Sequence, residues 1–300
     1  MDESPRDVAR ERQHLVNLAF RMFGSTAEAE DVVQQTYALW YALPEPERDA
    51  VATPRAWLTR TAARICLDIL ASRRGLRDGY VGEWLPEPVP NTSVPTSAPH
   101  AGPPADPLDR ITLDESVSMA LLVLLDSLAP EERVAFVLHD VFGVSFEAIG
   151  DIVGRTARES RNLASNARRN IHRLRSHETS PETHTTVVQA FGEAWELGDA
   201  VALAALLAPD VVALTDGGGK VSAEAQPVRG VAEVVRFVLH AFGSPEDVEI
   251  TQQPVNAQTG LVVRRGLSVV GVVSFNISES LVTDVWMVLN PDKLERWNRG

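Results

Sequence analysis

The chain has 300 residues, a formal net charge of −13 and 44% hydrophobic residues, which is enough for two or three domains with apolar cores. Cys66 is the only cysteine, which excludes an internal disulfide and a cysteine-cluster zinc site. The apolar run at 119–129 is too short for a membrane helix and contains Asp126. The N-terminus lacks the apolar core of a signal peptide, so we expect a cytoplasmic protein.

The first predicted domain, residues 6–79, is helical. One amphipathic helix is expected to stop at Gly24, and a second to start with Ser25 as its cap and acidic residues in its first turn. A third begins near Pro54 and carries an apolar stripe at 58, 62, 65 and 69. Cys66 is interpreted as a small buried residue of this helix.

A linker separates this domain from the next. Residues 86–107 contain eight prolines together with Ser, Thr and Gly, a composition typical of an extended tether that builds no core. We assign 80–111 to this linker and 112–175 to a second helical domain. A shorter break at 176–183 precedes a third domain, 183–300, in which helices are followed by several strand-like runs. That order predicts an α+β domain with an antiparallel sheet.

The second domain ends in a helix-turn-helix pattern. The stretch 146–153 places its apolar residues on one face and stops at Gly154. Thr156 and Glu159 then match a capping box that starts a second helix. From 154 to 175 there are seven arginines against one acid, Glu159. Arginine can pair guanine and asparagine can pair adenine in a major groove. The pattern predicts a recognition helix with these DNA-contacting residues: Arg155, Arg158, Arg161, Asn162, Ser165, Arg168 and Arg169.

The first two domains resemble regions 2 and 4 of bacterial sigma factors. Residues 25–41 look like the helix that binds core polymerase, 53–74 like the segment that opens and captures the −10 element, and 127–156 like the approach to the −35 helix. With no region 3 between them, the layout is similar to extracytoplasmic-function (group IV) sigma factors. The resemblance implies polymerase contacts at Glu30, Asp31, Gln34 and Gln35, and −10 contacts at Arg55, Trp57, Arg60, Arg64, Arg73 and Arg74. For Trp57 the alternative interpretation, a core residue, is favoured over a base contact.

Three short segments resemble signatures of the group IV subgroup with a fused SnoaL-like domain, an α+β cone. They are "YVGEWLPEPV" (80–89), "DGGGK" (216–220) and "NPDKL" (290–294), and the last two hold the only lysines of the chain. In that subgroup the fused domain modulates activity in place of a separate anti-sigma factor, and the −35 element is TGTCACA-like. The resemblance implies interdomain regulatory residues at Trp84, Leu85, Pro86, Asp216, Gly217, Gly218, Gly219, Lys220, Asn290, Pro291, Asp292, Lys293 and Leu294.

The implied partners are core RNA polymerase, contacted at its clamp helices and flap, and promoter DNA. No membrane, cofactor, metal or catalytic residue is expected, while a small ligand in the C-terminal pocket stays open. Two alternatives are a stand-alone helix-turn-helix regulator and an isomerase-type enzyme fused to a DNA-binding arm. The enzyme would need a carboxylate base and an acid, and the candidates are Asp210, Asp216, Asp284, His184 and His240, none favoured by spacing.

"DGGGK" lacks the pattern of a phosphate loop, so a connection after a strand is expected there. In "NPDKLERW", Asn290 is expected to cap a short helix whose first residue is Pro291.

Overall fold

The computed structural model describes residues 11–72, 83–90, 117–175, 179–221, 223–224, 226–243 and 247–299. The described residues form two compact units. The first contains the helices up to residue 72 and those from residue 121 to 173. The second contains residues 83–90, residues 118–120 and the chain from residue 174 onward.

The N-terminal part of the first unit consists of α1 (Arg12–Phe23), α2 (Thr26–Ala42), α3 (Glu45–Asp49) and α4 (Pro54–Ser72). Gly24 ends α1 with a φ of 63°, which glycine adopts without steric cost. Ser25 Oγ accepts a hydrogen bond from the Glu28 backbone N–H at 3.4 Å and caps α2. Cys66 lies fully buried in α4, and this burial raises the pKa of its thiol. The helical first domain is therefore confirmed.

The rest of the first unit is formed by α5 (Met119–Ser127), α6 (Pro130–Phe136), a π-helical turn (Val137–Val141), α7 (Phe146–Val153) and α8 (Ala157–Arg175). The π-helical turn continues α6 and is followed by its C-cap residue Phe142, whose N–H donates to the Val137 carbonyl at 3.2 Å. Ile149, Ile152 and Ile171 are buried where α7 and α8 meet the unit's core. All described regular structure in this unit is helical, as predicted.

The second unit begins with α9 (Pro181–Glu196) and α10 (Ala200–Leu206). They are followed by β1 (Leu207–Asp216), β2 (Val228–Arg229), α11 (Val231–His240), β3 (Glu249–Val255), β4 (Gln258–Arg265), β5 (Ser268–Ser278), β6 (Leu281–Val288) and α12 (Glu295–Asn298). The six strands form one sheet in the order β2-β1-β6-β5-β4-β3. Helices packed on a single sheet give the α+β class that the sequence predicts.

An aromatic cluster occupies the core between the helices and the sheet. Phe191 of α9 packs edge-on against Phe275 of β5, with ring centroids 4.9 Å apart, and Trp195 lies 5.7 Å from Phe242. All four side chains are at least nine-tenths buried, among aliphatic side chains of α9, α10, α11 and five of the strands. Ring pairs at this separation add to the stability gained from burial.

Two local expectations are corrected. The sheet is mixed rather than antiparallel, because β1 runs parallel to β6, with Ala213 opposite Val285. A parallel pair needs a crossover instead of a hairpin, and here α11 and four strands lie between the two partners in the chain. The C-terminal helix starts at Glu295, not Pro291. Asn290 Oδ1 accepts the Asp292 N–H at 3.1 Å, a local turn that takes the place of the first helical turn.

His184 of α9 is expected to make the second unit sensitive to acid. Its imidazole is buried, with Nε2 3.5 Å from the Phe275 carbonyl oxygen, and this burial lowers the pKa of His184 below 6.5. A group whose folded-state pKa is depressed contributes stability that is present above its unfolded-state value and lost as the pH falls through its folded-state value. Thermal unfolding followed by circular dichroism should therefore show a midpoint that declines below pH 6.5.

The His184→Gln variant should lose that part of the pH slope. His240→Gln is the matched control, because His240 is exposed on α11 and should leave the slope unchanged. An identical slope in His184→Gln and the unmodified protein would show that His184 does not titrate in this way.

Candidate nucleic-acid interface and docked linker segment

The turn between α7 and α8 is held by glycine and by a capping box. Gly154 ends α7 at a φ of 69°. A Cβ at Gly150 would lie 2.5 Å from the Arg155 carbonyl oxygen, so the close approach of the two helices requires glycine there. Glu159 N–H donates to Thr156 Oγ1 at 3.2 Å, and Thr156 N–H donates to Glu159 Oε2 at 2.8 Å. These bonds lower the pKa of Glu159. The predicted helix-turn-helix is present.

The exposed face of α8 carries charge and amides. Arg158, Arg161, Asn162 and Arg169 are exposed and Ser165 is half-buried, whereas Ala167 and Ile171 on the opposite face are buried. The Arg161 guanidinium lies 5.3 Å from the centre of the Phe146 ring, a cation–π contact that orients it beside α7. A helix with this division of faces presents several DNA-binding groups to one groove.

Two of the seven predicted DNA contacts, Arg168 on α8 and Arg155 in the turn before it, have carboxylate partners inside the first unit. Arg168 binds the Asp140 carboxylate with both Nε and a terminal nitrogen, at 2.5 and 3.1 Å. The Asp140 side chain is only 4% exposed, so this pair connects α8 to the π-helical turn. Arg155 lies 3.2 Å from Glu131 in an exposed ion pair. The sequence does not identify Asp140 as the partner of Arg168, because the pair depends on how α8 packs against the π-helical turn.

The −10 candidates lie on α4. Arg55 is paired with Glu11 at 3.3 Å and lies 3.2 Å from His14 Nδ1. Trp57 is half-buried and packs edge-on against the buried Trp40, with ring centroids 5.1 Å apart. Arg60 and Arg64 are exposed one helical turn apart. The other two candidates, Arg73 and Arg74, lie outside the described residues.

The predicted polymerase-binding residues lie on α2. Asp31, Gln34 and Gln35 are exposed, and the same helix face continues to Tyr41, which is 58% exposed. Residues at this spacing lie side by side along a helix. Glu30 is half-buried and forms an ion pair with Arg12 of α1. The face is therefore polar at its start and aromatic at its end.

Residues 83–90, here called the docked linker segment, lie extended against the C-terminal domain within the second unit. Leu85 and Val89 are buried. Asn256 binds Val89 at two points, with Oδ1 accepting the Val89 N–H and the Asn256 N–H donating to the Val89 carbonyl, both at 3.0 Å. Trp297 Nε1 donates to the Pro88 carbonyl at 2.7 Å. Sequence reasoning missed Asn256 and Trp297, which look like ordinary turn and helix residues.

A buried ion pair fixes the start of this segment. Asp216 is fully buried, and its Oδ2 accepts the Leu85 N–H at 2.9 Å and Lys293 Nζ at 2.6 Å. Lys293 also donates to the Leu85 carbonyl and lies 4.2 Å from the centre of the Trp84 ring. The three signatures predicted from the sequence thus meet at one site, where a buried charge is hydrogen-bonded on several sides.

The remaining residues of the two C-terminal signatures shape this site. Gly218 has a φ of 61°, and a Cβ there would lie 2.3 Å from Asn290 Nδ2. The Gly218 N–H donates to Asp216 Oδ1 at 3.0 Å. Lys220 binds both oxygens of Asp292 at 2.7 Å, in an ion pair that is more than half exposed. Five other signature residues complete the surroundings: Pro86 and Gly217 are buried, Leu294 is 1% exposed, and Gly219 and Pro291 are exposed.

The five candidates for acid–base catalysis have different surroundings, and His184 is the buried histidine of α9 described above. Asp216 belongs to the linker site, and Asp284 accepts hydrogen bonds from Asn276 and Thr283 at 2.9 Å. Asp210 is exposed, and His240 Nδ1 lies 2.6 Å from the Arg236 carbonyl. Within the described ranges there is no group of three or more side chains suited to hold a metal ion. In the same part of the chain, no helix is long and apolar enough to cross a membrane.

The comparisons with known proteins agree with these features. Residues 8–75 match the model of Sigma-70 region 2, and residues 118–171 match that of Sigma-70 region 4. These matches define a bacterial transcription initiation factor.

Two curated relatives extend the match to the rest of the chain. The ECF RNA polymerase sigma factor SigJ of Mycobacterium tuberculosis is 34% identical over 295 residues, covering 94% of this chain and 90% of the relative. The probable ECF sigma factor SigI of the same organism is 33% identical, covering 95% and 92%. The crystal structure of SigJ superposes with a TM-score of 0.72 and 29% identity over 98% of this chain and 99% of that chain. The chain belongs to the ECF RNA polymerase sigma factors, which direct core polymerase to promoters.

Lys293 should be far more important than Lys220 for holding the docked linker segment. Lys293→Met leaves the buried Asp216 carboxylate without its cation, a change that costs about 3–5 kcal/mol in comparable buried pairs. Hydrogen exchange of the Leu85 amide should then accelerate at least about a hundredfold. Lys220→Met is the matched control and removes an exposed pair worth about 0–1 kcal/mol. Equal exchange rates in the two variants would contradict this ranking.

Arg168 should contribute to the stability of the first unit, whereas Arg158 should not. Arg168→Ala leaves the nearly buried Asp140 carboxylate without its bidentate partner, and we expect a loss of about 2–3 kcal/mol in the free energy of unfolding. Arg158→Ala removes an exposed side chain and should change that free energy by less than about 0.5 kcal/mol. Urea denaturation followed by circular dichroism measures both. If Arg168→Ala is as stable as the unmodified protein, the pair with Asp140 does not stabilise the fold, and Arg168 is then available to contact DNA.

Proposed function

We propose that α8 recognises the −35 element and that α4 holds the opened −10 element. The observation that carries the first part is the exposed Arg158, Arg161 and Asn162 face behind a capped helix-turn-helix. Arginine and asparagine make bidentate contacts to guanine and adenine, worth about 1–3 kcal/mol each in discrimination. Arg168 and Arg155 are assigned supporting roles, because both are paired with carboxylates.

On α4, Arg60 and Arg64 are the proposed phosphate contacts for the opened strand, with Arg73 and Arg74 following them along the chain. Exposed guanidinium groups at one-turn spacing suit a single-stranded backbone. Trp57 has one side of its indole against Trp40, so a base would have to stack on the remaining exposed part. Arg55 is proposed to position α4, since Glu11 and His14 already bind it.

The proposed contact with the polymerase clamp helices is the face of α2 that carries Asp31, Gln34 and Gln35. Exposed carboxylates and amides together with Tyr41 and Leu39, which are 58% and 50% exposed, combine polar and apolar binding groups. Aromatic residues are enriched at the centre of protein interfaces. Region 4 is the proposed partner of the polymerase flap.

We propose that the C-terminal domain regulates the sigma factor through the docked linker segment. This segment belongs to the linker between regions 2 and 4, and it is held by a buried ion pair, by Asn256 and by Trp297. Docking reduces the freedom of that linker, and linker freedom sets the effective concentration of one DNA-binding part relative to the other. Regulation within the chain would remove the need for a separate anti-sigma factor.

A catalytic role for this domain is the second candidate, and its support is weaker. The interior of the domain is packed with Phe191, Trp195, Phe242 and Phe275. Of the acidic candidates, Asp216 and Asp284 have other partners and Asp210 is exposed. We therefore propose a regulatory domain, in which any small ligand would have to displace these aromatic side chains or bind elsewhere.

Transcription in vitro tests the proposal. Core polymerase with the full-length protein should initiate at a promoter with a TGTCACA-type −35 element. Arg158→Ala/Arg161→Ala should reduce initiation at least about thirtyfold, because two groove contacts are lost. Arg236→Ala is the matched control, since Arg236 is an exposed arginine of the second unit. If polymerase stays silent while the protein alone binds the promoter, the DNA-binding part works as an independent regulator.

Regulation is measured in the same assay with Lys293→Met and Lys220→Met. A change in initiation with the first variant and not the second identifies the docked linker segment as the control point, and its direction gives the sign of the regulation. Unchanged output from both variants would overturn the regulatory role of the segment.

A further inference from the structure

An aromatic residue stands at the start of the first helix of the helix-turn-helix. Phe146 is the first residue of α7, and Ser145 caps that helix, its Oγ accepting the Ala148 N–H at 3.3 Å. The cap does not require an aromatic residue at this position. The Phe146 ring is also only half-buried, so packing in the core does not account for it.

His139 of the π-helical turn holds the plane of the Phe146 ring. The two rings stack with their centroids 3.9 Å apart and an angle of 25° between their planes. His139 Nδ1 lies 2.9 Å from the Val144 carbonyl oxygen, and because a carbonyl only accepts, Nδ1 carries the hydrogen. Two backbone bonds close the turn between the rings, from the Gly143 N–H to the His139 carbonyl at 3.0 Å and from the Val144 N–H to the Leu138 carbonyl at 2.9 Å. The ring is therefore held in one orientation by the turn that precedes α7.

The same ring contacts the recognition helix. Arg161 is exposed on α8, and its guanidinium carbon lies 5.3 Å from the centre of the Phe146 ring. The negative potential of an aromatic face attracts a cation in this position. A ring is at most a weak hydrogen-bond acceptor, so the N–H donors of the guanidinium stay available for a base.

Arg168 of the same helix is held in a different way. Both oxygens of Asp140 accept from it, at 2.5 and 3.1 Å. A carboxylate binds arginine by the fork of N–H groups that also pairs guanine, whereas an aromatic ring attracts the charge and leaves the fork unoccupied. Among the residues that the structure describes, Arg161 has no carboxylate partner. Its contact with Phe146 therefore orients the side chain without using the groups that read DNA.

We propose that Phe146 is a positioning residue for promoter recognition, whose ring holds the Arg161 guanidinium where it reads a G·C pair of the −35 element. His139 supports this role by fixing the plane of the ring. The inference rests on the proposed function of α8. A free arginine side chain loses rotamer freedom when it binds a base, and one that is oriented beforehand loses less. Phe146 thereby adds affinity and selectivity at one base pair.

Promoter binding by core polymerase with the full-length protein tests this role in a double-mutant cycle. Phe146→Leu removes the aromatic face and keeps an apolar side chain. It should weaken binding to a TGTCACA-type promoter about two- to fivefold, which corresponds to about 0.5–1 kcal/mol. In an Arg161→Ala protein the same change should cause no further loss, because the ring acts through that arginine. Phe237→Leu removes a half-buried ring from α11 of the second unit; it is the matched control and should leave binding unchanged.

Promoters with single base-pair changes in the −35 element give a readout that altered folding would not produce. Phe146→Leu and Arg161→Ala should both lose their preference at the same position and keep it at the others. A trifluorinated phenylalanine at position 146 keeps the shape of the ring and weakens its negative face, so it should reproduce the loss even if Phe146→Leu folds poorly. Phe146→Tyr keeps the aromatic face and should bind like the parent.

Three results would overturn the proposal: an equal loss from Phe146→Leu with and without Arg161, full binding by the trifluorinated protein, or a loss of preference at a different base pair. In each of them Arg161 still reads the promoter and Phe146 does not assist it. If Arg161→Ala itself binds as the parent does, the proposed function of this arginine is wrong, and the positioning role is wrong with it.

Discussion

A buried carboxylate that must be neutralised determines how the C-terminal unit is organised. Asp216 ends β1 with no exposure to water, and an isolated charge in that position would be strongly unfavourable. Its partners come from far apart in the chain: Leu85 from the linker and Lys293 from the C-terminal turn, with Gly218 beside it. The requirement to satisfy one carboxylate therefore brings three segments together, and it makes a linker residue part of a domain that begins almost a hundred residues later.

Arginine has two separate uses in this acidic chain. Arg133 and Arg168 are bound by groups inside the first unit and hold its helices together. Arg158 and Arg161 are exposed on α8, where a major groove could receive them. Net charge does not distinguish the two uses, because only burial and the nearest carboxylate decide whether a guanidinium is available to DNA.

The regulation that we propose depends on contacts outside the recognition helix. The docked linker segment is proposed to limit the freedom of the chain between regions 2 and 4. Its contacts are made by residues that are not among the proposed DNA contacts, so they can be weakened without altering α8. A sigma factor built this way can be controlled by the stability of its own packing.

The sequence by itself determined the local features, which depend on residues close in the chain. The end of α1 at Gly24, the cap at Ser25 and the Thr156–Glu159 capping box follow from backbone groups that must find a partner within a few residues. The resemblance of its motifs to those of the family also located the three signature segments before any contact between them was known.

Only the tertiary structure decided which partners meet across the chain. Three such contacts are the parallel pairing of β1 with β6, the binding of Val89 by Asn256 and the ion pair of Arg168 with Asp140. No sequence periodicity predicts them, because they depend on the register and angle at which elements pack. For the same reason the sequence could not divide the predicted DNA-contacting arginines into those that pair inside the fold and those that are exposed. That separation is made by burial, which the whole fold sets.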